Sequence, residues 1–359
     1  MSSQLKLTHA VMEGKGSYNK HAKLPADGAT LALPLLERAI KGIDVAGEEP
    51  IVVADYGSSQ GKNSLAPMRT AINGLRRRVG PSRAISVFHI DQTSNDFNSL
   101  FEVLDADPDR YVADDPEVYP AAIGKSFYEK VLPPGSVHFG WSSYAAVWLS
   151  QVPAAIPGHF ISVCSDGEVR EAFDRQAAKD WETFLTLRAR ELRPRGRLLV
   201  VLPGIGHDGR SEFELLFDHA NVVLEELVAD GVIAKEERSR MAIGSHLRRK
   251  RDLLAPFEGN RKLEGLSLED FMMSALPDAV WAQYERDRDK EALATKRALF
   301  FRSVFVPSLA SALSAARVGE VAAVGTFGDQ LEQRLKQRLA GQPAPMHSWV
   351  QTILLAKES

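Results

Sequence analysis

The chain has 359 residues, 44% of them hydrophobic and 25% charged, enough to bury a large core and too apolar for a disordered protein. Its 44 Lys and Arg against 47 Asp and Glu leave a net charge of -3, so the chain as a whole lacks the basic excess that nucleic-acid or anionic-membrane binding uses. Cys164 is the single cysteine, which excludes an intrachain disulfide and a multi-cysteine metal cluster and makes a cytoplasmic location the expectation.

The opening MSSQLKLTHAVMEG has no apolar run of the secretory kind. Residues 51–55 form a short apolar strand ending at Asp55, followed by a glycine-bearing turn over 57–61. Leu65, Met68, Ile72, Leu75 and Val79 then make one helical stripe. Arg76, Arg77 and Arg78 end that helix, where cations suit its dipole. A second strand over 84–91 also ends at an acid, Asp91, and completes a β-α-β unit. Ser94 or Asn95 is placed to cap a helix carrying Phe97, Leu100, Phe101 and Leu104. A third strand is expected over 136–141 and a helix over 144–149.

Residues 131–165 carry no Asp, Glu, Lys or Arg and could span a bilayer by length. Pro133, Pro134, Pro153 and Pro157 would break such a helix, so the stretch reads as buried core and pocket wall. Further on come a helix over 176–191, a buried strand over 197–202 and a last strand over 349–355. The expected fold is α/β, a doubly wound sheet covered on both faces. Its core is drawn from 1–203 and 297–359, with a mainly helical cap over 204–296 covering a pocket.

Asp55, Gly57 and Gly61 make a D-x-G-x-x-x-G turn at the tip of the first strand. In an open α/β sheet the carboxyl ends of the strands line the ligand crevice, and glycine lets a ligand approach the backbone. The pattern is neither the G-x-G-x-x-G dinucleotide fingerprint nor a P-loop. Asp91, at the next strand tip, can accept hydrogen bonds from both hydroxyls of a ribose. Two acids at successive tips suit S-adenosylmethionine, which offers donors at its amino acid and its ribose and has no phosphate to hold. Asp55 as a simple turn cap stays open beside this reading. Tyr144 and Trp148, spaced i, i+4, would share a helix face, either as core or as a pocket wall.

Several separated segments resemble one family, the SABATH methyltransferases. They are GSYN at 16–19, ADYGSSQGKN at 54–63, VFHIDQTSNDFN at 87–98, SFY at 126–128, HFGWSSYAAVWLS at 138–150, and Gly196-Arg197. The resemblance implies a class I methyltransferase (Rossmann-like) fold and a homodimer. It also implies methyl transfer from S-adenosylmethionine to the carboxylate oxygen of a small aromatic, indolic or terpenoid acid. Carried over by position, it implies cofactor contacts from Tyr18, Asp55, Gly57, Ser58, Asn63, Asp91, Gln92, Ser126 and Phe127, with Phe127 stacked on adenine. Tyr18, Tyr144, Val147 and Trp148 would touch the acceptor, the Trp148 indole N–H donating to its carboxylate.

No catalytic base is nominated, because a carboxylic acid with a pKa near ~4 is already an anion at pH 7 and needs positioning. The family's carboxylate-binding glutamine falls on Pro25 here, with Lys23 or His21 as replacement donors. That departure keeps N-methylation or phenol O-methylation open, for which His21 or His138 would be the base. His207-Asp208-Gly209 reads as a turn without metal-ligand spacing. The run from Arg248 to Arg251 reads as a solvated helix face rather than an RNA surface.

Overall fold

The computed structural model describes residues 11–113, 115–206, 211, 213–318 and 321–359; the expected turn at His207-Asp208-Gly209 lies outside them. In chain order the strands are β1 (Ile51–Tyr56), β2 (Ile85–Asp91), β3 (Val118–Gly124), β4 (Val137–Ser143), β5 (Leu192–Gly204), β6 (Leu266–Leu276) and β7 (Ser348–Lys357). The helices that precede or alternate with them are α1 (Ser17–His21), α2 (Lys23–Leu31), α3 (Leu33–Gly42), α4 (Leu65–Val79), α5 (Phe97–Ala106) and α6 (Gly167–Glu191). The later helices are α7 (Glu214–Ala229), α8 (Lys235–Arg240), α9 (Lys250–Leu254), α10 (Ala279–Asp287), α11 (Lys290–Ala310), α12 (Ala315–Val318) and α13 (Val321–Gly341).

The strands form one sheet in the order β3-β2-β1-β4-β5-β7-β6, parallel from β3 through β5 and antiparallel where β7 pairs with β5 and β6. β1 and the second half of β5, residues 198–204, are nearly continuous apolar runs because they are buried on both faces. Leu36 of α3, Met68 of α4 and Leu100 of α5 cover one face against Val53, Val87 and Phe139. Phe184 of α6 and Leu253 of α9 cover the other against Ala54, Ile90 and Val200. The strand order reverses at β1, with β2 on one side and β4 on the other, so a crevice opens at the carboxyl ends of these three strands.

Several expectations need correction. β3 was missed; it is one of the sheet's two edge strands and contains Pro120, which only an edge tolerates well. The expected third strand is therefore β4, the fourth. Asp96, rather than Ser94 or Asn95, caps α5 by accepting the Ser99 N–H at 3.1 Å, and Phe101 on that helix is exposed. No helix forms over 144–149. Tyr144 leaves β4 with φ of 56°, the left-handed region, and the chain then turns on a Trp148 N–H to Ala145 O bond of 3.0 Å.

The segment 204–296, expected as a mainly helical cap, also supplies β6 to the sheet. Conversely, α11 and α13 lie largely or wholly in the stretch assigned to the core, yet they share an apolar cluster with α7, built on Phe217, Phe301, Phe305 and Leu331. This cluster is separate from those on the sheet's two faces.

Candidate active site

A cavity of about 640 Å³ occupies the crevice at the strand tips. Six of the nine residues expected to contact the cofactor line it: Tyr18, Gly57, Asp91, Gln92, Ser126 and Phe127. Gly57 has φ of 90°, and a Cβ there would overlap the Ala145 side chain, so only glycine lets the first turn pass under the 144–148 segment. The Asp91 carboxylate is set by backbone donors, Ser59 N–H at 2.7 Å on Oδ2 and Gln92 N–H at 2.8 Å on Oδ1. Each oxygen keeps a lone pair for a ligand hydroxyl. Burial pushes the pKa of Asp91 up to about 6.

The other three expected contacts do not reach the cavity wall. Asp55 is 1% exposed, and its Oδ2 accepts from Ser64 Oγ at 2.6 Å and faces His89 Nδ1 at 2.9 Å. Its carboxylate ties the turn to the start of α4 and to β2, close to the cap reading. The Ser58 side chain is buried, while its N–H donates to Ile90 O. Asn63 donates to Ala22 O at 3.2 Å and lies beside the Tyr18 phenol, so it supports a wall residue.

Next to this cavity is an apolar pocket of about 90 Å³. Tyr18, Tyr144, Val147 and Trp148 line it, as expected of acceptor contacts. Met12, Tyr18, Tyr144 and Trp148 border both spaces, so the two communicate. Tyr144 and Trp148 thus meet at one site through a turn rather than a helix face. A methyl group on Gly28 of α2 would overlap Tyr144 Oη, so that glycine makes room for the ring. Among the described residues, neither the buried Tyr144 hydroxyl nor Trp148 Nε1 has a hydrogen-bond partner. Burial raises the pKa of both Tyr18 and Tyr144 well above the usual phenol value, which keeps them as O–H donors. No His, Asp, Glu, Lys or Cys among the described residues lines this pocket.

Lys23 and His21 lie elsewhere, in a third cavity behind α2, while Leu24 and Pro25 face the acceptor pocket. His138 is buried in β4, where its Nδ1 accepts the Val52 N–H at 3.0 Å, and burial with Arg193 nearby pulls its pKa down to about 4. Neither histidine is placed to serve an acceptor in this pocket.

The sequence profile described as SAM dependent carboxyl methyltransferase matches residues 6–354. The chain belongs to this family. Among curated relatives, methyltransferase LUC1 of Fusarium sp is 30% identical over 242 residues, covering 65% of this chain and 62% of its own. The chain thus spans about three fifths of the length of that fungal relative. Gibberellic acid methyltransferase 2 of Arabidopsis thaliana is 28% identical, with 67% of each chain covered. A solved structure, loganic acid methyltransferase with SAH, superposes with a TM-score of 0.77 at 21% identity, covering 97% of this chain and 99% of that one. The fold is therefore that of the Rossmann-like class I methyltransferases.

For a SAM dependent family, the cavity wall presents suitable groups: an acid with free lone pairs at the second strand tip, a glycine at the first, and the Phe127 ring with Ser126 beside it. Reading the sequence missed what holds that wall. Arg188 of α6, which looks like surface charge in the sequence, is fully buried. Its guanidinium donates to Phe127 O at 2.6 Å, Glu129 O at 2.9 Å and Glu191 Oε1 at 2.8 Å. Glu191 in turn accepts the N–H groups of Val131 and Leu132 and the Tyr56 hydroxyl. The buried pair therefore pins the loop that carries Ser126 and Phe127.

Arg248 is another correction: it is buried, donating to Ala146 O and Ala177 O beneath the Trp148 turn, rather than lying on a solvated face. Tyr128 bonds Trp148 O at 2.6 Å and links the two walls.

One cluster with metal-binding residue types stands apart from the site. His159 Nε2, Cys164 Sγ and an Asp218 oxygen lie within 4.8 Å of one another. The Ile161 N–H donates to His159 Nδ1, which leaves the ring proton on Nε2 facing Asp218 at 3.5 Å. A metal would need that nitrogen's lone pair. Burial, with Asp218 and Glu214 nearby, pushes the Cys164 thiol up to about 12.

Proposed function

We propose that the protein is a methyltransferase that esterifies the carboxylate of a small acid with an apolar body. The observation that carries this reading is the acceptor pocket's chemistry: it offers O–H and N–H donors and, among the described residues, no group that titrates near neutrality. A pocket of donors without a base suits a nucleophile that is already an anion at pH 7. When bound, S-adenosylmethionine supplies an electrophilic methyl group on a sulfonium.

Asp91, Gln92, Ser126 and Phe127 would hold the nucleoside, and Tyr18 stands between it and the acceptor. The Trp148 indole and the Tyr144 hydroxyl would orient the carboxylate, while Val147 packs on its body. Holding reactants in a near-attack geometry lowers a barrier by ~7–11 kcal/mol, whereas a general base typically adds only ~10²–10⁴-fold. The names of the gibberellic and loganic acid relatives support an acid as acceptor. We further propose a homodimer and a cytoplasmic location.

Pro25 in the pocket wall favours a second reading, a ring nitrogen or phenol as acceptor, since it removes a donor that the family uses for carboxylates. Incubation with methyl-labelled S-adenosylmethionine and a panel of aromatic, indolic and terpenoid acids beside xanthine-like bases separates the two. Base-labile labelled product, with a rate flat from pH 7 to 9, is the expected result. Base-stable product with a rate that climbs with pH would overturn it.

A further inference from the structure

The third cavity, about 460 Å³, lies behind the acceptor pocket among α2, α11 and the end of β6. Leu24 and Phe300 line both spaces and form a thin partition between them. The acceptor pocket by itself, about 90 Å³, is smaller than the ~150 Å³ apolar cavity that takes up one benzene. Its opposite side opens into the space that would hold the nucleoside. Among the described residues, further room for an acceptor larger than a benzene ring lies past Leu24 and Phe300.

What lies past them is cationic. Lys20, Lys23 and Lys296 line the third cavity with exposed side chains, and no Nζ of the three makes an ion pair or hydrogen bond among the described residues. Lys296 and Phe300 are i, i+4 on α11, so the partition ring and the cation behind it share a helix face. Arg297 is 5% exposed; two of its nitrogens donate to Ala344 O and Asp278, and its Nε has no partner. Of the two acids in the lining, Asp278 already accepts from Arg297 and from the Trp281 and Met346 N–H groups. Asp27 alone remains, beside Lys23.

We propose that this cavity is a distal subsite for a second carboxylate of the acceptor, so that the preferred substrate is a dicarboxylic acid with an apolar spacer, esterified at one end. The inference rests on the carboxyl-transfer reading above and narrows its substrate class. In the transfer, one carboxylate oxygen bonds the methyl carbon as that carbon's bond to the sulfonium sulfur breaks. The electron pair stays on sulfur and no proton moves. The distal carboxylate is unchanged, held by the lysines.

The test compares initial rates for a series of α,ω-alkanedioic acids with those for monocarboxylic acids of equal length. Wild type and the double variant Lys20→Gln, Lys296→Gln are assayed side by side, with calorimetric SAH binding reporting an intact cofactor site in each. Wild type should show a roughly tenfold lower KM for the diacid at the best length, and the KM ratio of the pair should fall toward one in the variant. Equal KM values at every length in wild type would overturn the subsite, as would a diacid preference that survives both substitutions. Esterification of monoacids without diacid preference removes the subsite alone. Methylated nitrogen bases with no ester from any acid remove the carboxyl reading as well.

Discussion

Asp91 is buried, and desolvation raises its pKa to about 6 against the pull of the Ser59 and Gln92 N–H groups, the Asp55 charge adding to the rise. Because its folded pKa lies above that of an unfolded aspartate, its contribution to stability is fully present below pH ~4 and is lost as pH rises through about 6. Ligand binding has the opposite sign, since two ribose hydroxyls need the ionised acceptor. Affinity for SAH should therefore weaken as pH falls below about 6, approaching about tenfold per unit, and calorimetry between pH 5 and 8 reads this. Trp148→Phe keeps a ring in the pocket and removes its donor. A hydrogen bond to a charged group contributes ~1.5–3 kcal/mol, so kcat/KM for an acid should drop roughly ten- to hundredfold while SAH affinity stays within about twofold. Gly28→Ala should displace the Tyr144 ring, costing about 1–3 kcal/mol in urea denaturation and lowering kcat/KM.

The loop after β3 owes its geometry to α6. Arg188→Met leaves Glu191 buried without its counter-charge, which should cost about 3–5 kcal/mol of stability and weaken SAH binding by freeing the loop at 126–132. Urea denaturation and calorimetry of the same preparation check both. Sequence reading found β1, β2 and β7 because their runs of Ile, Val and Leu have one explanation, burial, and it found Asp91 because the acid sits where such a run stops. It missed β3 and β6, edge strands whose half-exposed faces mix Pro, Glu, Asp and Met into the pattern. It missed Arg188 and misread Arg248 because a buried guanidinium looks like any surface one until its carbonyl partners, distant in sequence, are known. The Tyr144 and Trp148 pair was found through the wrong element, since a tight turn brings i and i+4 together as a helix does. The rest of the pocket, Phe213, Phe300 and Phe305 among it, comes from remote helices and leaves no local signature.

The segment before α1 ties the molecule's parts together. Glu13 accepts from Arg302 of α11 at 2.8 Å, its N–H donates to Ser303 O, and its carbonyl accepts from Gln60 in the first glycine turn. Arg302 also reaches Asp329 and Glu332 of α13. Met12, next in sequence, borders both ligand spaces, so this network holds a strap across the site. Arg302→Ala should speed SAH release by about two- to fivefold, as partly exposed ion pairs contribute modestly; stopped-flow displacement measures it. A different consequence follows from β7, which lies between β5 and β6 although its residues come long after β5. During translation β5 stands with a bare edge while seven helices and β6 emerge from the ribosome, and only residues 348–357 close the gap. The sheet is thus completed last, and until residues 348–357 arrive β5 presents an unpaired strand edge.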